Sequence, residues 1–96
     1  MSAYRVILGS DAITDLDRLR RYDAVAVVDT IDRHLAIAPT RESRSRIKRL
    51  RGQAPADYRL RVGEYRVFYR VTGPDVHVLR VLHKDQTKRY YEEGTS

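Results

Sequence analysis

Alternation of apolar and polar residues predicts strands at three places in the chain. Residues 4–8 predict a short strand that ends at Gly9. The longest alternating stretch covers residues 57–71 and is divided by Gly63-Glu64, so it predicts a pair of strands. Residues 76–83 predict one more strand after a turn.

Two helical patterns follow the first strand. In the first, Ala12, Leu16 and Leu19 recur at the spacing of one helix face. Ser10 is expected to cap its N-terminus, and the charged residues, Asp15 among them, are expected to face solvent. The second helix is expected to end before the proline at position 39. Its apolar stripe is Ala24, Val28, Ile31, Leu35 and Ala38, widened by Val25 and Val27.

The two helices predict a helical hairpin, and a basic segment then leads to the alternating stretch. Residues 40–56 are rich in Arg, Ser and Lys, with Ile47 and Leu50 as apolar anchors. Gly52 and Pro55 interrupt any regular pattern. This composition predicts a basic loop around one short turn.

Residues 57–71 predict a β-hairpin with a type II′ turn, because Gly63 suits the first central position of such a turn. With Gly63 and Glu64 as the turn, side chains of different chemistry fall on opposite faces. The apolar face consists of Tyr58, Leu60, Val62, Tyr65, Val67 and Tyr69. The other face gathers Arg59, Arg61, Arg66 and Arg70 around Phe68.

The arginines on this face do not stabilise the fold, because directly opposed like charges destabilise a strand pair by a few tenths to about 1 kcal/mol. A bound anion would offset that cost. Guanidinium groups match phosphate oxygens bidentately and can stabilise the extra charge of a pentacoordinate phosphoryl transition state. Alternatively, the arginines only screen a solvent-facing sheet, or acidic residues of a partner neutralise them. Phe68 is either a hydrophobic spacer or a platform on which an unpaired base stacks.

The charge balance strengthens the expectation of an anionic partner. The chain has 96 residues, neither cysteine nor tryptophan, and a formal net charge of +6. Residues 1–40 carry five Arg and six Asp, whereas residues 41–96 carry 14 Lys or Arg and seven acidic residues. A small domain with this distribution typically binds nucleic acid or an acidic protein segment.

Metal ions, other cofactors and membranes are not expected. The chain has no thiolate ligands, and His34, His77 and His83 lack metal-ligand spacing. No apolar run approaches the roughly 20 residues that span a bilayer. The N-terminus has no apolar signal-peptide core, so the cytoplasm is the expected location.

Several motifs together resemble the RelE/ParE superfamily of bacterial toxin–antitoxin toxins. They are YRVIL at residues 4–8, LRG at 50–52, YRLRVGEYRVFYRV at 58–71 and VLRVLH at 78–83. The resemblance covers nearly the whole chain and implies a single α+β domain over residues 1–96. The implied order is β-α-α-β-β-β, with the helical hairpin on one side of a small, mainly antiparallel sheet and a concave basic face on the other.

The RelE-like branch of this superfamily cuts messenger RNA in the ribosomal A site. It does so without metal, by attack of a ribose 2′-hydroxyl on the adjacent phosphate. The resemblance implies the same activity here, with Arg59, Arg61 and Arg66 binding the scissile phosphate.

Another group must then move protons, because arginine stays protonated. The candidates are His83, whose ordinary pKa is about 6.5, and Tyr91 or its neighbour Tyr90. His83 alternatively caps the end of its strand. The expected RNA contacts are Arg44, Arg46, Lys48, Arg49, Arg51, Phe68, Lys84, Lys88 and Arg89.

The resemblance also implies partners, namely a cognate antitoxin, the ribosome and mRNA. The alternative function is ParE-like inhibition of DNA gyrase without catalytic activity, because YRVFYRV and VLRVLH fit that branch as well. An open helical hairpin that projects apolar residues would favour this alternative. A relative without toxicity is a third possibility.

Overall fold

One mixed sheet organises the chain in the computed structural model, which describes residues 3–51 and 55–88. Its elements are β1 (Arg5–Leu8), α1 (Ser10–Asp17), α2 (Arg21–His34), β2 (Ile47–Arg49), β3 (Tyr58–Val62), β4 (Tyr65–Thr72), β5 (Asp75–His83) and a 3-10 helix (Lys84–Gln86). The strand order is β1-β5-β4-β3-β2. β1 runs parallel to β5, and the other neighbours are antiparallel. The predicted α+β class is confirmed, and the described residues contain one strand more than predicted.

The additional strand is β2, which lies in the segment predicted to be a loop. It pairs with β3 so that Ile47 faces Leu60 and Lys48 faces Arg59. Only Ile47 of its three residues is buried, while the other two are exposed cations. A strand this short has no alternation that a sequence pattern can reveal.

The central hairpin has the predicted register. Val62 pairs with Tyr65 and Arg61 with Arg66, on either side of Gly63-Glu64. Gly63 has a φ of +55°, and the φ of Glu64 is not positive. These are the signs of a type II′ turn, whose twist matches that of the flanking strands.

The apolar face of the hairpin packs under the helices, as predicted. Tyr69 is fully buried there, and its ring stacks on Tyr58 with centroids 5.6 Å apart. Its hydroxyl donates to the carbonyl oxygen of Pro39, while burial raises the pKa of Tyr69. The buried core cluster is Ala12, Val27, Ile31, Leu35, Ile47, Leu60, Val62, Val67, Tyr69, Val76, Val78 and Val81.

The buried side of α2 differs from the prediction. Val27 and Ile31 are buried, whereas Val25 and Val28 are 59% and 39% exposed. Ile31 and Leu35 are buried as predicted, so the buried stripe follows Val27, Ile31 and Leu35 and is narrower than predicted. Among the described residues, no helix is long and apolar enough to span a bilayer.

The start of α1 also differs from the prediction. Ser10 is the first helical residue and Gly9 is the N-cap, without a capping side chain. Gly9 donates its N–H to the Val78 carbonyl oxygen at 2.9 Å, and a Cβ atom at Gly9 would lie 3.0 Å from that oxygen. The close approach to β5 therefore favours glycine where α1 begins.

A one-residue bulge changes the faces of β5. Phe68 pairs with Arg80 and Tyr69 with Val78, so Leu79 is the extra residue. Because the period of a strand is two, Val78 before the bulge and Val81 after it both reach the core.

Asp15 of α1 completes the edge of β5 beyond the end of β1. It is 7% exposed, which corrects the expectation that it faces solvent. Its carboxylate accepts from Val81 N–H at 2.9 Å and from Arg80 Nε and Nη2 at 2.8 and 3.0 Å. A side chain thus bonds to the backbone of β5 where β1 no longer pairs with it.

We expect Asp15→Ala to lower the free energy of unfolding by about 3 kcal/mol, because it removes one partner of a buried, hydrogen-bonded ion pair. Urea denaturation followed by circular dichroism measures this loss. Asp29→Ala is the matched control, since it breaks an exposed helix pair with Arg33 and should leave stability nearly unchanged. Equal losses in the two variants would contradict the structural role of Asp15.

Candidate nucleic-acid interface

The sheet face opposite the helices carries cations from three neighbouring strands. Because Ile47 and Leu60 point into the core, the adjacent pair Lys48 and Arg59 points to this face. The next cross-strand pair on the face is Arg61 with Arg66. Register alone therefore brings together side chains that repel one another.

These side chains border a depression of about 130 Å³, which we call the arginine depression. A cavity of this volume has room for a phosphate group. Its lining is polar and basic because the loop before β2 contributes as well as the strands. The lining residues are Ser43, Arg44, Ser45, Arg46, Ile47, Lys48, Arg59, Arg61 and Arg66.

Hydrogen bonds fix the wall of the arginine depression. Arg61 N–H donates to the Arg46 carbonyl oxygen at 2.8 Å, and Arg46 Nη1 donates to the Arg61 carbonyl oxygen at 3.0 Å. Ser43 Oγ accepts from the N–H groups of Arg46 and Ile47 at 3.1 and 3.3 Å. Arg66 Nη1 donates to two carbonyl oxygens of its own turn, those of Gly63 and Tyr65, each at 2.9 Å.

The charge of the arginine depression is largely uncompensated by protein carboxylates. Within residues 3–51 and 55–88, five of its cations form no ion pair with a carboxylate: Arg44, Arg46, Lys48, Arg59 and Arg61. Burial lowers the pKa of the half-buried His34, and the charges of Arg46 and Arg33 lower it further. The depression is thus a preformed anion site rather than part of a salt-bridge network.

A second depression of about 450 Å³ adjoins the first and shares Lys48 and Arg59 with it. The remaining lining residues are Arg49, Leu50 and Arg51. Five residues of the basic segment that are predicted to contact RNA therefore continue the surface formed by the sheet arginines. They are Arg44, Arg46, Lys48, Arg49 and Arg51. A basic track of this kind suits the backbone of a nucleic-acid strand.

The sequence and the fold match those of known toxins. A statistical model of the ParE toxin of type II toxin–antitoxin systems (parDE) matches residues 6–87. The chain belongs to this family, within the RelE/ParE superfamily.

Solved structures agree with this assignment. The toxin is 31% identical to a chain of the toxin–antitoxin complex RelBE2 from Mycobacterium tuberculosis, with a TM-score of 0.72 over 84% of the toxin and 98% of that chain. It shares 24% identity with a chain of the archaeal RelE–RelB complex from Pyrococcus horikoshii OT3, with a TM-score of 0.71 over 88% and 98% of the two chains.

A mutant of E. coli toxin RelE in the free state is 22% identical, with a TM-score of 0.71 over 98% of the toxin and 95% of that chain. The two likenesses below 25% identity show the shared fold alone. No curated protein sequence matches the toxin significantly.

Phe68 does not contribute an exposed ring to the track. It is fully buried, together with Ala56 and Leu82, in a small cluster that also contacts Leu50 and Leu79. The structure therefore corrects the prediction that Phe68 contacts RNA and supports its alternative role as a hydrophobic spacer. Because Phe68 pairs with Arg59, this cluster lies on the same side of the sheet as the arginines and beside them.

The structure also separates His83 from the sheet arginines. Tyr65 pairs with His83 and Arg66 with Leu82, so His83 lies on the helical face with Tyr65. His83 Nδ1 accepts from Asp85 N–H at 3.2 Å and thereby caps the 3-10 helix. The bulge at Leu79 thus places His83 on the face opposite the sheet arginines, and its part in proton transfer stays a prediction.

The remaining predicted residues lie at the C-terminal end of the sheet or beyond it. Lys84 Nζ is 3.0 Å from Glu64 Oε2, and this hydrogen bond holds the pKa of Glu64 below its usual value. Lys88 is exposed beyond the 3-10 helix. Arg89 and Tyr91, like Tyr90, lie outside the described residues, so their roles remain predictions. Within the described part of the toxin, no group of three or more His, Cys, Asp or Glu is placed to hold a metal ion.

The sequence patterns miss the exposure of five large apolar side chains in α1, α2 and the segment after α2, a set that we call the helical patch. Tyr22 is 84% exposed, although it is a large aromatic residue at the start of α2. The patch consists of Ile13, Tyr22, Val25, Val28 and Ile37. The sequence pattern does not reveal the exposure of Val25 and Val28, because it assigns both residues to the apolar stripe of α2.

We expect Arg61→Ala to weaken binding of single-stranded RNA without destabilising the fold. The substitution removes one phosphate contact. The slope of the logarithm of the binding constant against the logarithm of the salt concentration should therefore become shallower by about 1. The substitution also relieves repulsion with Arg66, so the free energy of unfolding should stay constant or rise by a few tenths of a kcal/mol. Fluorescence anisotropy at several salt concentrations and urea denaturation measure the two effects.

Arg18→Ala is the matched control for this prediction. It makes the same change in net charge, but Arg18 follows α1 on the other side of the sheet. Equal effects of Arg18→Ala and Arg61→Ala on RNA binding would show that only net charge matters.

Proposed function

We propose that the toxin is a ribosome-dependent mRNA endoribonuclease that stops translation and is neutralised by a cognate antitoxin. The observation that carries the proposal is the arginine depression, a phosphate-sized space bordered by five cations that form no ion pair with a carboxylate of residues 3–51 and 55–88. The family membership and the likeness to RelE toxins support it.

In the proposed reaction, a ribose 2′-oxygen attacks the adjacent phosphorus while the bond from phosphorus to the 5′-oxygen breaks. The products are a 2′,3′-cyclic phosphate and a 5′-hydroxyl end. Arg59, Arg61 and Arg66 bind the non-bridging oxygens and stabilise the additional negative charge of the pentacoordinate transition state. No metal or other cofactor takes part in the proposed reaction.

The 2′-hydroxyl must lose a proton and the departing 5′-oxygen must gain one. The arginines cannot do this, and His83 is on the other face of the sheet. Tyr91 remains the proposed proton carrier, while Lys84 is engaged with Glu64. In the proposal, the ribosome holds the mRNA in the reactive geometry, which the shallow track alone does not impose.

The proposed partners follow from the same comparisons. The structures from M. tuberculosis and P. horikoshii are complexes of a toxin with its antitoxin. We propose an antitoxin of corresponding role for this chain, and the cytoplasm, where ribosomes translate, as its place of action.

We expect expression of the toxin without an antitoxin to stop translation and to produce A-site cuts in mRNA on translating ribosomes. The double variant Arg61→Ala/Arg66→Ala should lower the cleavage rate by at least about 100-fold, because it removes electrostatic stabilisation of the transition state. Primer extension on mRNA from a reconstituted translation system measures this rate.

The double variant Arg18→Ala/Arg33→Ala is the control with equal charge, and circular dichroism checks that both variants fold. Cleavage of isolated RNA at the same rate as ribosome-bound mRNA would contradict ribosome dependence. Full activity of Arg61→Ala/Arg66→Ala would contradict the proposed site.

The helical patch supports a second candidate function, ParE-like inhibition of DNA gyrase without catalysis. Exposed apolar residues on a helical hairpin are suited to binding a protein rather than RNA. The match to the ParE toxin model is consistent with this alternative.

Replacing Tyr22 and Val25 with Ser distinguishes the two candidates. Under the nuclease proposal, Tyr22→Ser/Val25→Ser should cut ribosome-bound mRNA at the unchanged rate, since both side chains lie away from the arginine depression. Under the alternative, the wild-type toxin blocks DNA supercoiling by purified gyrase and this variant does not. Supercoiling failure with continued translation would overturn the nuclease proposal.

A further inference from the structure

The arginine depression contains an exposed hydroxyl group, that of Ser45. Its neighbour Ser43 uses its Oγ atom to accept two backbone hydrogen bonds. Ser45 Oγ forms no hydrogen bond within residues 3–51 and 55–88, and the residue is exposed in a bend between α2 and β2. Ser45 is therefore accessible to a modifying enzyme.

The sequence around Ser45 is strongly basic. Arg44 and Arg46 flank it directly, and Arg41 precedes it by four residues. All three are exposed. Arginines around an accessible serine complement an acidic substrate cleft, which is how charge patterns select substrates for a protein kinase.

The surroundings of Ser45 also suit the product of such a reaction. A phosphoserine carries about −1.5 to −2 charges and has three strong acceptor oxygens. Arg46, Arg59 and Arg61 border the same depression and have no ion-pair partner within the described residues. A phosphate on Ser45 would thus meet several guanidinium donors without breaking an existing ion pair.

We propose that Ser45 is a phosphorylation site and that its phosphate, bound by the arginine depression, closes this depression to other phosphates. In the transfer step, Ser45 Oγ forms a bond to the γ-phosphorus of a nucleoside triphosphate while the bond to the β-phosphate oxygen breaks. The hydroxyl proton passes to a base of the kinase, and a nucleoside diphosphate leaves. Only the consequence for RNA rests on the proposed function.

The first test measures the phosphate itself. Ser45→phosphoserine is compared with Thr72→phosphoserine, a control at the exposed last residue of β4 with the same added charge. Phosphorus NMR titration should give a second phosphate pKa at least about one unit lower at position 45, because guanidinium groups favour the dianion. Adding Arg59→Ala and Arg61→Ala to the Ser45 variant should remove most of that difference. Equal pKa values at the two positions would overturn the inference.

A second measurement connects the phosphate to RNA. Ser45→phosphoserine should weaken binding of single-stranded RNA about tenfold, and Thr72→phosphoserine should weaken it much less. A lowered phosphate pKa with unchanged RNA binding would support the phosphate site and contradict the proposed RNA surface. Failure of the phosphate site and failure of the proposed RNA surface therefore give different results.

A third measurement tests the modification. The folded toxin is incubated with a basophilic serine kinase and magnesium ATP, and the modified residue is mapped by mass spectrometry. We expect phosphate on Ser45 and none in Ser45→Ala at an equal enzyme concentration. Phosphorylation confined to other residues, or none at all, would overturn the assignment of Ser45.

Discussion

The fold depends on a hydrogen-bond partner for the backbone of β5 at the edge where β1 has ended. β5 is longer than β1, so beyond Val78 its backbone would meet no strand on that side. Asp15 meets this requirement by accepting from Val81 N–H while it also binds Arg80. The same carboxylate therefore fixes α1 on the sheet and holds Arg80 at the α1 side. A buried carboxylate must keep all three donors within hydrogen-bond distance, and only one position of α1 on the sheet allows this.

Apolar packing lies on both sides of the sheet that carries the basic face. The main core is beneath the helices, and the smaller cluster around Phe68 and Leu82 lies on the other side. Packing thus fixes the strands from which the arginines project. The exposed guanidinium groups still lose side-chain entropy when an anion binds, but the strands are already in place, which is the advantage of a preorganised site.

The sequence predicts those features that depend on local pattern. The hairpin register follows from alternation around Gly63, and it correctly places Arg61 opposite Arg66. Long-range features escape such reasoning. The role of Asp15 depends on a partner 65 residues away, and the face of His83 depends on a single extra residue in β5. The exposure of Val28 escapes such reasoning because residues 24–28 are all apolar, so no polar position among them marks the side of α2 that faces solvent.

The parallel pairing of β1 with β5 has a consequence for folding kinetics. Arg5 aligns with Asp75, so the first strand finds its only strand neighbour among the described residues after a separation of 70 positions. Closing so long a loop carries a large entropic cost, and pairings of this kind slow folding. The chain therefore cannot complete its sheet during synthesis until β5 has been made. Since β5 also pairs with β4 of the arginine hairpin, the sheet beside the basic face is completed only after β5 has joined it.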